Sequence, residues 1–339
     1  MSLTSILKQK IRKTLFTTPS HSGKFFLSHK FYQWYKSDIS EINALNPQKE
    51  LELAEKKASK IYGTKYTKFL TNGSTSGVIG AILASSQNKK ILIWENAHPC
   101  HKNGAKLANC EIIEYPLTFC KDWGVYNTIS PKEAENLIIK HNPSTLIITS
   151  PTYEGFVANI KTIKNICEKY NVTLIVDEAH GALYPFSENL PQSAVKIADY
   201  TIQSLHKTAG GLNPTALLHS NQNNPTEALK MITTTSPSYP LLATIERNIN
   251  FLNSKKGRNE IEKLIQNIKT LGFSHLDDVT KILIKKEGLT GEQISEILYN
   301  KYNIEDEKTN DISSLLLCGL GTDYKKLHKL KQALTNLGI

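Results

Sequence analysis

The sequence predicts a three-layer αβα fold with a mostly parallel sheet, followed by a small α+β domain at the C-terminus. Three observations support this fold class. Strand-like and helix-like segments alternate from about Tyr66 to His219. Several of the strand-like segments are nearly continuous apolar runs, which is typical of strands buried on both faces of a sheet. After about residue 225 the alternation stops, and helical stretches lead into a shorter mixed unit.

The strands of the large sheet are predicted from these apolar runs, and the helices from the helical periodicity between them. The predicted strands are residues 67–70, 90–94, 111–115, 145–150, 173–177, 200–204 and 216–219. A helix over 131–141 has the clearest start, because Ser130 is a good N-cap and Glu133 completes a capping box. Further helices are predicted over 75–85 and 161–170.

Three parts of the chain are distinguished by these patterns. We predict an N-terminal arm over residues 1–45, a large domain over 46–250 and a small domain over 251–339. The arm begins with an amphipathic helix, and its apolar residues on one face are Leu3, Ile6, Leu7, Ile11, Leu15 and Phe16. Two helical stretches, 241–255 and 260–271, lead to the small domain. Its predicted elements are strands at 280–285 and 314–318 and helices at 291–302 and 324–337.

Composition excludes several classes of function. No apolar run of membrane-spanning length and no signal-peptide pattern is present, so we expect no membrane partner. The net charge is +10, but the lysines are scattered and do not alternate with aromatic residues, so we expect no nucleic-acid partner. The five cysteines form no CxxC or CxxH pair. We therefore expect neither disulfides nor a metal site, and a reducing, cytoplasmic location.

The first candidate binding motif is residues 71–77, TNGSTSG, which follows a predicted strand and opens a predicted helix. A helix N-terminus presents free N–H groups and the positive end of a dipole, and small residues let a phosphate approach. Ser74 and Thr75 add hydroxyl donors. The same pattern is typical of an N-cap at a tight turn, so this segment alone leaves both interpretations open.

The second motif places an acid, Asp177, at the end of the predicted strand 173–177. Ligands of α/β proteins bind at this edge of the sheet. An aspartate there can keep a pyridinium nitrogen protonated, which lets the ring accept electrons. Asp-Glu after a strand also occurs at metal-binding and capping positions, so this motif alone is weak.

The third motif is Lys207, which follows the predicted strand 200–204 and lies 30 residues after Asp177. One helix and one strand fit into that interval, so both side chains can emerge at the same sheet edge. A lysine amine forms an imine with an aldehyde, and burial or nearby positive charge lowers its pKa for this role. Ser204 and His206 are candidate phosphate ligands beside it. Taken alone, a surface turn is the simpler interpretation.

Together the three motifs are much more specific than any one of them. A phosphate site, a ring-nitrogen acid and a Schiff-base lysine, in this order at strand ends, match the large fold of pyridoxal-phosphate (PLP) enzymes. This is the aspartate-aminotransferase type, and the predicted cofactor is pyridoxal 5′-phosphate. His101 begins a helix after a strand and can stack on the ring, and the methyl group of Ala179 can cover the opposite face.

The sequence further resembles the bacterial ornithine/lysine/arginine decarboxylases in short segments spread over nearly the whole chain. These segments are 18–21 (TPSH) with Gly23, 72–76 (NGSTS), 100–102 (CHK), 150–155 (SPTYEG), 176–181 (VDEAHG), 203–208 (QSLHKT), 234–239 (TTSPSY) and 289–291 (LTG).

The resemblance implies a role for each candidate residue. Lys207 carries the cofactor, Asp177 pairs with the pyridine nitrogen, and His101 stacks on the ring. His180 lies near the reacting carbon of the substrate. The residues implied to bind the phosphate are Ser74, Thr75, Ser204 and His206. The resemblance also implies a homodimer or higher homo-oligomer with the active site at the interface, where residues 236–239 serve a neighbouring subunit's cofactor.

The chain departs from the family in three ways. It is shorter at the C-terminus than family members usually are. Ser20 stands where the signature has a glycine, and the segment GGLN at 210–213 differs from the usual residues after the lysine. These departures bear on the identity of the substrate more than on the cofactor chemistry.

The function expected from the resemblance is decarboxylation of lysine, arginine or ornithine through an external aldimine, within polyamine biosynthesis. The catalytic residues would be Lys207, His180 and His101, and Glu154 or Glu178 would bind the cationic side chain of this amino-acid substrate. The alternative is another PLP reaction, by an aminotransferase, lyase or racemase, because the bond that breaks depends on the pocket. A third hypothesis is a PLP-fold protein that binds a partner without catalysis.

Overall fold

The structure is a computed structural model that describes residues 14–16 and 49–339. The predictions for the remainder of the N-terminal arm, including Ser20 and the segment 18–21, lie outside the described residues. No helix within the described ranges is both long enough and apolar enough to cross a bilayer.

The strands are β1 (Thr14–Leu15), β2 (Tyr66–Leu70), β3 (Lys90–Trp94), β4 (Glu111–Tyr115), β5 (Phe119–Cys120), β6 (Val125–Tyr126), β7 (Thr145–Thr149), β8 (Thr173–Asp177), β9 (Tyr200–Ser204), β10 (Ala216–Ser220), β11 (Lys281–Ile284), β12 (Ile304–Glu305), β13 (Lys308–Thr309) and β14 (Ser314–Leu317). The helices are α1 (Lys49–Tyr62), α2 (Gly73–Ser85), α3 (Pro99–Leu107), α4 (Pro131–His141), α5 (Ile160–Lys169), α6 (Thr226–Lys230), α7 (Tyr239–Asn253), α8 (Lys255–Leu271), α9 (Gly291–Tyr302) and α10 (Tyr324–Asn336).

A seven-stranded sheet positions the candidate site. Its strand order is β2-β10-β9-β8-β7-β3-β4, and β10 is antiparallel to both of its neighbours while the other pairs are parallel. Alternate residues of β8 face opposite sides: Ile175 joins a core beneath α2 and α3, whereas Leu174 and Val176 join a core beneath α4 and α5. Burial on both faces explains why these strands are continuous apolar runs.

The C-terminal part contains a second sheet of three antiparallel strands, in the order β11-β14-β13. Helices α8, α9 and α10 supply apolar residues to the same core as β11 and β14. Helix α9 begins with a capping box between Thr290 and Gln293. Helix α7 continues across residue 250, so the predicted division falls inside a helix. The division into domains remains a prediction.

Most predicted elements agree with the structure. Every predicted strand lies within one residue of an observed strand at each end. Helix α4 begins and ends as predicted, with the Ser130–Glu133 capping box formed, and Asn142 ends it in the left-handed conformation. Helix α2 begins two residues earlier than predicted, at Gly73.

The predicted leader helix is wrong at its C-terminal end. Thr14–Leu15 is a strand that pairs in parallel with Ile304–Glu305. The Phe16 N–H donates to the carbonyl of Glu305, and the Phe16 side chain is fully buried. The partner strand Ile304–Glu305 and the burial of Phe16 therefore determine that Thr14–Leu15 is a strand. Local periodicity contains no information about either.

Candidate active site

A cavity of about 710 Å³ opens at the ends of the central strands. Strands β2, β7, β8 and β9 each lead into a segment that lines it. The predicted site residues on its wall are Ser74, Thr75, Asp177, Ala179, His180, His206 and Lys207. The sequence motifs therefore converge on one site, as expected for the ends of neighbouring parallel strands.

Helix α2 presents its N-terminus to this cavity. Asn72 occupies the N-cap position but makes no capping hydrogen bond with its side chain, so the first N–H groups are not capped in the usual way. Gly73 has a φ of +73°, a conformation that suits glycine, and its N–H donates to the carbonyl of Pro214. Ser74 and Thr75 follow on the cavity wall. This arrangement suits an anion such as a phosphate.

Asp177 is held at the end of β8 by two neighbours. His101 Nε2 lies 2.9 Å from Asp177 Oδ2, and the N–H of Ala179 donates to Oδ1 over 3.1 Å. Burial acts to raise the pKa of Asp177, but the His101 hydrogen bond and the attraction of His101 and Lys207 outweigh it and lower the pKa. The carboxylate therefore stays ionised and can stabilise a cationic ring nitrogen.

Lys207 and His180 form the reactive pair of the cavity. Lys207 Nζ lies 3.0 Å from His180 Nε2, and the His180 ring packs on Tyr153 with 4.6 Å between ring centroids. Burial lowers the pKa of Lys207, although Asp177 opposes this effect. Burial, followed by the charge of Lys207, lowers the pKa of His180 well below its usual range. The uncharged imidazole can accept a hydrogen bond from the lysine amine.

The two other predicted phosphate ligands differ in position. His206 lines the cavity, and its Nδ1 lies 3.0 Å from the carbonyl oxygen of Thr215. Ser204 is fully buried beneath the wall, and its Oγ has no hydrogen-bond partner among the described residues. Such a buried hydroxyl is costly unless a further group satisfies it, so Ser204 supports a ligand at this position.

His101 lies behind the cavity wall rather than on it. Its ring is buried against Asp177, and the wall on this side contains His98 and Cys100. Stacking of His101 on a cofactor ring stays a prediction. Cys100, His101 and Asp177 also bring three potential metal ligands within 4.8 Å of one another. Burial raises the pKa of the Cys100 thiol to about 12, however, so the thiolate that a metal requires is disfavoured.

The two glutamates predicted to recognise the substrate have different positions. Glu178 faces the interior, where its carboxylate accepts hydrogen bonds from the side chains of Ser193 and Gln203 and from the Ala194 N–H. Glu178 does not line the cavity, so the structure favours Glu154 of the two alternatives. Glu154 does line the cavity, and its Oε1 lies 2.5 Å from Lys308 Nζ.

Several residues of the site were not predicted as such. Tyr153 forms a hydrogen bond to Glu307 over 2.7 Å, and Lys308 Nζ lies 5.1 Å from the centre of the Tyr153 ring. Tyr153 lies in the segment that follows the end of β7 at Thr149, which is a signal that sequence reasoning could have used. Residues 308–311 come from the C-terminal part of the chain. No local pattern marks them, because only the fold brings them to the cavity.

Comparison with known proteins identifies a family and a fold for the chain. The family model described as "Orn/Lys/Arg decarboxylase, major domain" matches residues 3–282. The arginine decarboxylase of Bacillus subtilis (strain 168) is 25% identical over 360 residues, covering 95% of this chain and 74% of that protein.

Two solved structures share the fold. Lysine decarboxylase A from Pseudomonas aeruginosa superimposes with a TM-score of 0.77 and 18% identity, covering 94% of this chain and 56% of that one. The ureidoglycine-glyoxylate aminotransferase of Bacillus subtilis gives a TM-score of 0.70 at 12% identity, covering 96% and 94%. The chain thus spans just over half the length of the solved lysine decarboxylase, and the predicted fold class is confirmed.

Proposed function

The chain belongs to the Orn/Lys/Arg decarboxylase family, and on that premise we propose that it decarboxylates a basic amino acid: lysine, arginine or ornithine. The observation that carries this proposal is the convergence of Lys207, Asp177 and the N-terminus of α2 on one cavity. If these residues lay at strand ends that did not meet, they would not indicate a common function.

The cofactor of this family is pyridoxal 5′-phosphate, and the residues present fit it. When bound, this group supplies an aldehyde that condenses with amines and a ring that accepts electrons. Lys207 would hold it covalently, and Asp177 would face its ring nitrogen. The N-terminus of α2, together with the unpartnered hydroxyl of Ser204, would hold its phosphate.

The remaining residues of the cavity have distinct tasks in this proposal. His180 Nε2 lies 3.0 Å from Lys207 Nζ, where its uncharged imidazole can accept a hydrogen bond from the amine and orient it. Tyr153 covers the His180 ring and limits the access of water. Either Lys207 or His180 returns a proton to the substrate carbon after carbon dioxide leaves.

Glu154 is the acid that we propose to bind the cationic end of the substrate. Its side chain is 7% exposed and is paired with Lys308, whose side chain is 43% exposed. The more exposed lysine can move aside, and an ammonium or guanidinium group can then replace it. A buried carboxylate without such a partner would be unfavourable, so the site favours a cationic substrate over a neutral one.

We further propose that the chain forms a homodimer or a larger homo-oligomer, and that it acts in the cytoplasm in polyamine biosynthesis. The cysteines are free, which supports a reducing compartment. The products of the proposed reaction, diamines or agmatine, support the link to polyamines.

Product analysis by mass spectrometry tests the proposal. Purified protein with pyridoxal phosphate is given lysine, arginine and ornithine together, and an amine product is expected that Lys207→Ala abolishes. Glu154→Gln should raise KM more than it lowers kcat, because it removes the charge that binds the side chain. Glu188→Gln, at an exposed position, is the matched control. Keto-acid products, or no product from a chain that binds the cofactor, would instead favour another PLP reaction.

A further inference from the structure

Two residues of the sequence motifs have no task in the reaction described above. Glu178 follows Asp177 in the segment 176–181, and Gln203 begins the segment 203–208, but neither of these described residues lines the cavity. Both side chains are buried, and Gln203 Nε2 donates to Glu178 Oε2 over 2.6 Å. A buried polar pair is stable only when its hydrogen bonds are satisfied, so its partners indicate what the pair holds in place.

Glu178 and Gly181 are the ends of a tight turn whose two central residues, Ala179 and His180, line the cavity. The Gly181 N–H donates to the Glu178 carbonyl over 2.9 Å, which closes the turn. The Gln203 amide that binds the Glu178 carboxylate also donates to the Gly181 carbonyl over 3.3 Å. One side chain of β9 therefore binds both ends of the turn that carries His180.

The orientation of the Gln203 amide follows from the chemistry of its partners. The Gly181 carbonyl can only accept a hydrogen bond, so the NH2 group of Gln203, and not its oxygen, faces the turn. Gln203 Oε1 then faces His219 Nε2, 3.3 Å away, and this contact requires a proton on that nitrogen. The hydrogen bonds of the turn thus select one tautomer of His219.

His219 continues the row of hydrogen bonds away from the cavity. Its ring is fully buried on β10 and packs on Tyr62, with 4.4 Å between ring centroids. Burial lowers the pKa of His219 to about 3, so the ring is neutral near neutral pH. His219 Nδ1 lies 2.9 Å from Thr67 Oγ1, and with the proton on Nε2 it accepts from the Thr67 hydroxyl. Every group of the row therefore has a compatible partner.

The centre of the turn has separate and longer hydrogen bonds. The Ser204 N–H donates to the Ala179 carbonyl over 3.2 Å, and the Thr208 hydroxyl donates to the His180 carbonyl over 3.5 Å. These bonds hold the backbone of the turn against β9 even when the Gln203 amide is removed. We therefore expect its loss to rotate the turn and to shift the His180 ring, rather than to unfold the segment.

We propose that Gln203 is a positioning residue for His180, and that His219 and Thr67 fix the orientation of its amide. The proposal rests on the proposed function, in which His180 orients the amine of Lys207. Gln203 itself touches neither cofactor nor substrate and acts through the turn. His180 Nε2 lies 3.0 Å from Lys207 Nζ, so a shift of about 1 Å would break this contact.

The tautomer of His219 gives the first test, which requires neither a variant of Gln203 nor enzymatic activity. The full-length chain, free of cofactor, is prepared with isotopically labelled histidine, and NMR of the ring nitrogens distinguishes the protonated nitrogen from the other. The signals of each ring are assigned from a variant that lacks it, such as His219→Gln. A proton on Nε2 of His219 is expected. A proton on Nδ1 would require the opposite orientation of the Gln203 amide and would overturn the inference.

The ring signals of His180 give the second test. Lys207→Ala shows these signals without the amine partner. Gln203→Met has a side chain of similar length but no donor, and it should shift the His180 signals toward those of Lys207→Ala although Lys207 is intact. In the chain loaded with cofactor, the same variant should lower kcat by about ten- to a hundredfold with little change in KM.

Gln222→Met is the matched control for the removal of an amide. Gln222 Nε2 also donates to a carboxylate, Asp199 Oδ1, over 2.6 Å, but outside the cavity, so this variant should leave the His180 signals unchanged. Gln203→Asn has an amide that is one methylene shorter, and it serves if Gln203→Met does not fold. Thermal melting reports which variants are folded. A folded Gln203 variant with unchanged His180 signals would show that Gln203 is only structural, and the inference would be overturned.

The outcomes of the two proposals are distinct. If the unmodified chain takes up no pyridoxal phosphate at Lys207, as judged by borohydride trapping and mass spectrometry, the proposed function fails. The NMR results still decide the role of Gln203 in that case, because they require neither cofactor nor substrate.

Discussion

At the scale of single residues, two adjacent carboxylates at the end of β8 leave the strand in opposite directions. Asp177 faces the cavity and stays ionised beside His101 and Lys207. Glu178 faces the interior, and burial raises its pKa from 4.5 to about 7 despite three hydrogen bonds. One strand end therefore carries a permanent anion for the site and a second acid that titrates near neutral pH.

The raised pKa of Glu178 predicts a specific dependence of stability on pH. Between about pH 4.5 and 7 the folded state holds a proton that the unfolded state has lost, so the free energy of unfolding should fall as the pH rises. The loss is on the order of 3 kcal/mol across this window. Glu178→Gln cannot titrate, so its stability relative to the unmodified protein should improve by this amount over the same range.

Urea unfolding at a series of pH values measures this difference. Glu188→Gln, at an exposed position, should follow the unmodified protein throughout. Parallel stability curves for Glu178→Gln and the unmodified protein would show that Glu178 is ionised at all these pH values.

The identity of the site residues was more predictable than their orientation. Lys207, Asp177 and Ser74 could be predicted because each follows an apolar strand whose end must lie at the same sheet edge. Which of Asp177 and Glu178 faces the cavity depends on the exact end of β8.

The partners of Tyr153 and Glu154 are residues 307 and 308, which are far away in the chain. No short-range pattern encodes such pairs.

At the scale of elements, the cavity depends on how closely α2 and α3 approach each other. Gly104 of α3 lies at their contact, where a Cβ would be 2.9 Å from Ile82 Cδ1 and 3.2 Å from the Cα of Ile79. The second contact is with backbone, which cannot rotate away. Helix α2 carries Ser74 and Thr75, and α3 carries Cys100, and all three line the cavity, so the spacing of the two helices affects its width.

Gly104→Ala should therefore destabilise the protein, even though alanine favours helices over glycine by about 1 kcal/mol. Overpacking at such a contact costs about 1–3 kcal/mol, and displacement of α2 should also weaken cofactor binding. Urea unfolding and a fluorescence titration with pyridoxal phosphate measure the two effects. Lys106→Ala, exposed on α3, is the control. A more stable Gly104→Ala variant would mean that the helices can separate without strain.

The elements themselves were predictable where local and tertiary signals agree. The capping box determines where α4 begins, and the apolar runs determine the bounds of β8 and β9. Neither signal needs information from distant parts of the chain. The short strands β1, β12 and β13 were not predicted, because two residues give no periodicity. Strand β1 forms only because β12 is present beside it, although the two are about 290 residues apart in the chain.

At the scale of the whole molecule, the cavity is closed on one side by the C-terminal part of the chain. Lys308 pairs with Glu154, Glu307 accepts a hydrogen bond from Tyr153, and Asp278 accepts one from Tyr184.

The segment 234–239, which resembles a family signature, does not contribute to this cavity. It precedes and begins α7, Ser236 is exposed, and none of these six described residues lines the cavity of its own chain.

This position predicts that the segment completes the site of a second subunit. If it does, a chain lacking Lys207 and a chain with an altered segment should complement each other. Lys207→Ala and the triple variant Thr234→Ala/Ser236→Ala/Ser238→Ala, each weakly active or inactive alone, are mixed under conditions that exchange subunits. Each hybrid dimer then contains one site with both an intact Lys207 and an intact segment. Decarboxylase activity above the sum of the two separate proteins is expected.

Two measurements make this result decisive, because complementation requires both association and sharing of sites. Sedimentation equilibrium should give a mass of at least twice the 38.0 kDa of one chain. Unmixed samples of each variant, treated with the same exchange procedure, control for reactivation. A dimer whose mixed variants show only additive activity would place segment 234–239 outside the shared site. A monomer that is fully active alone would refute the sharing of sites altogether, and the cavity described above would then be complete within one chain.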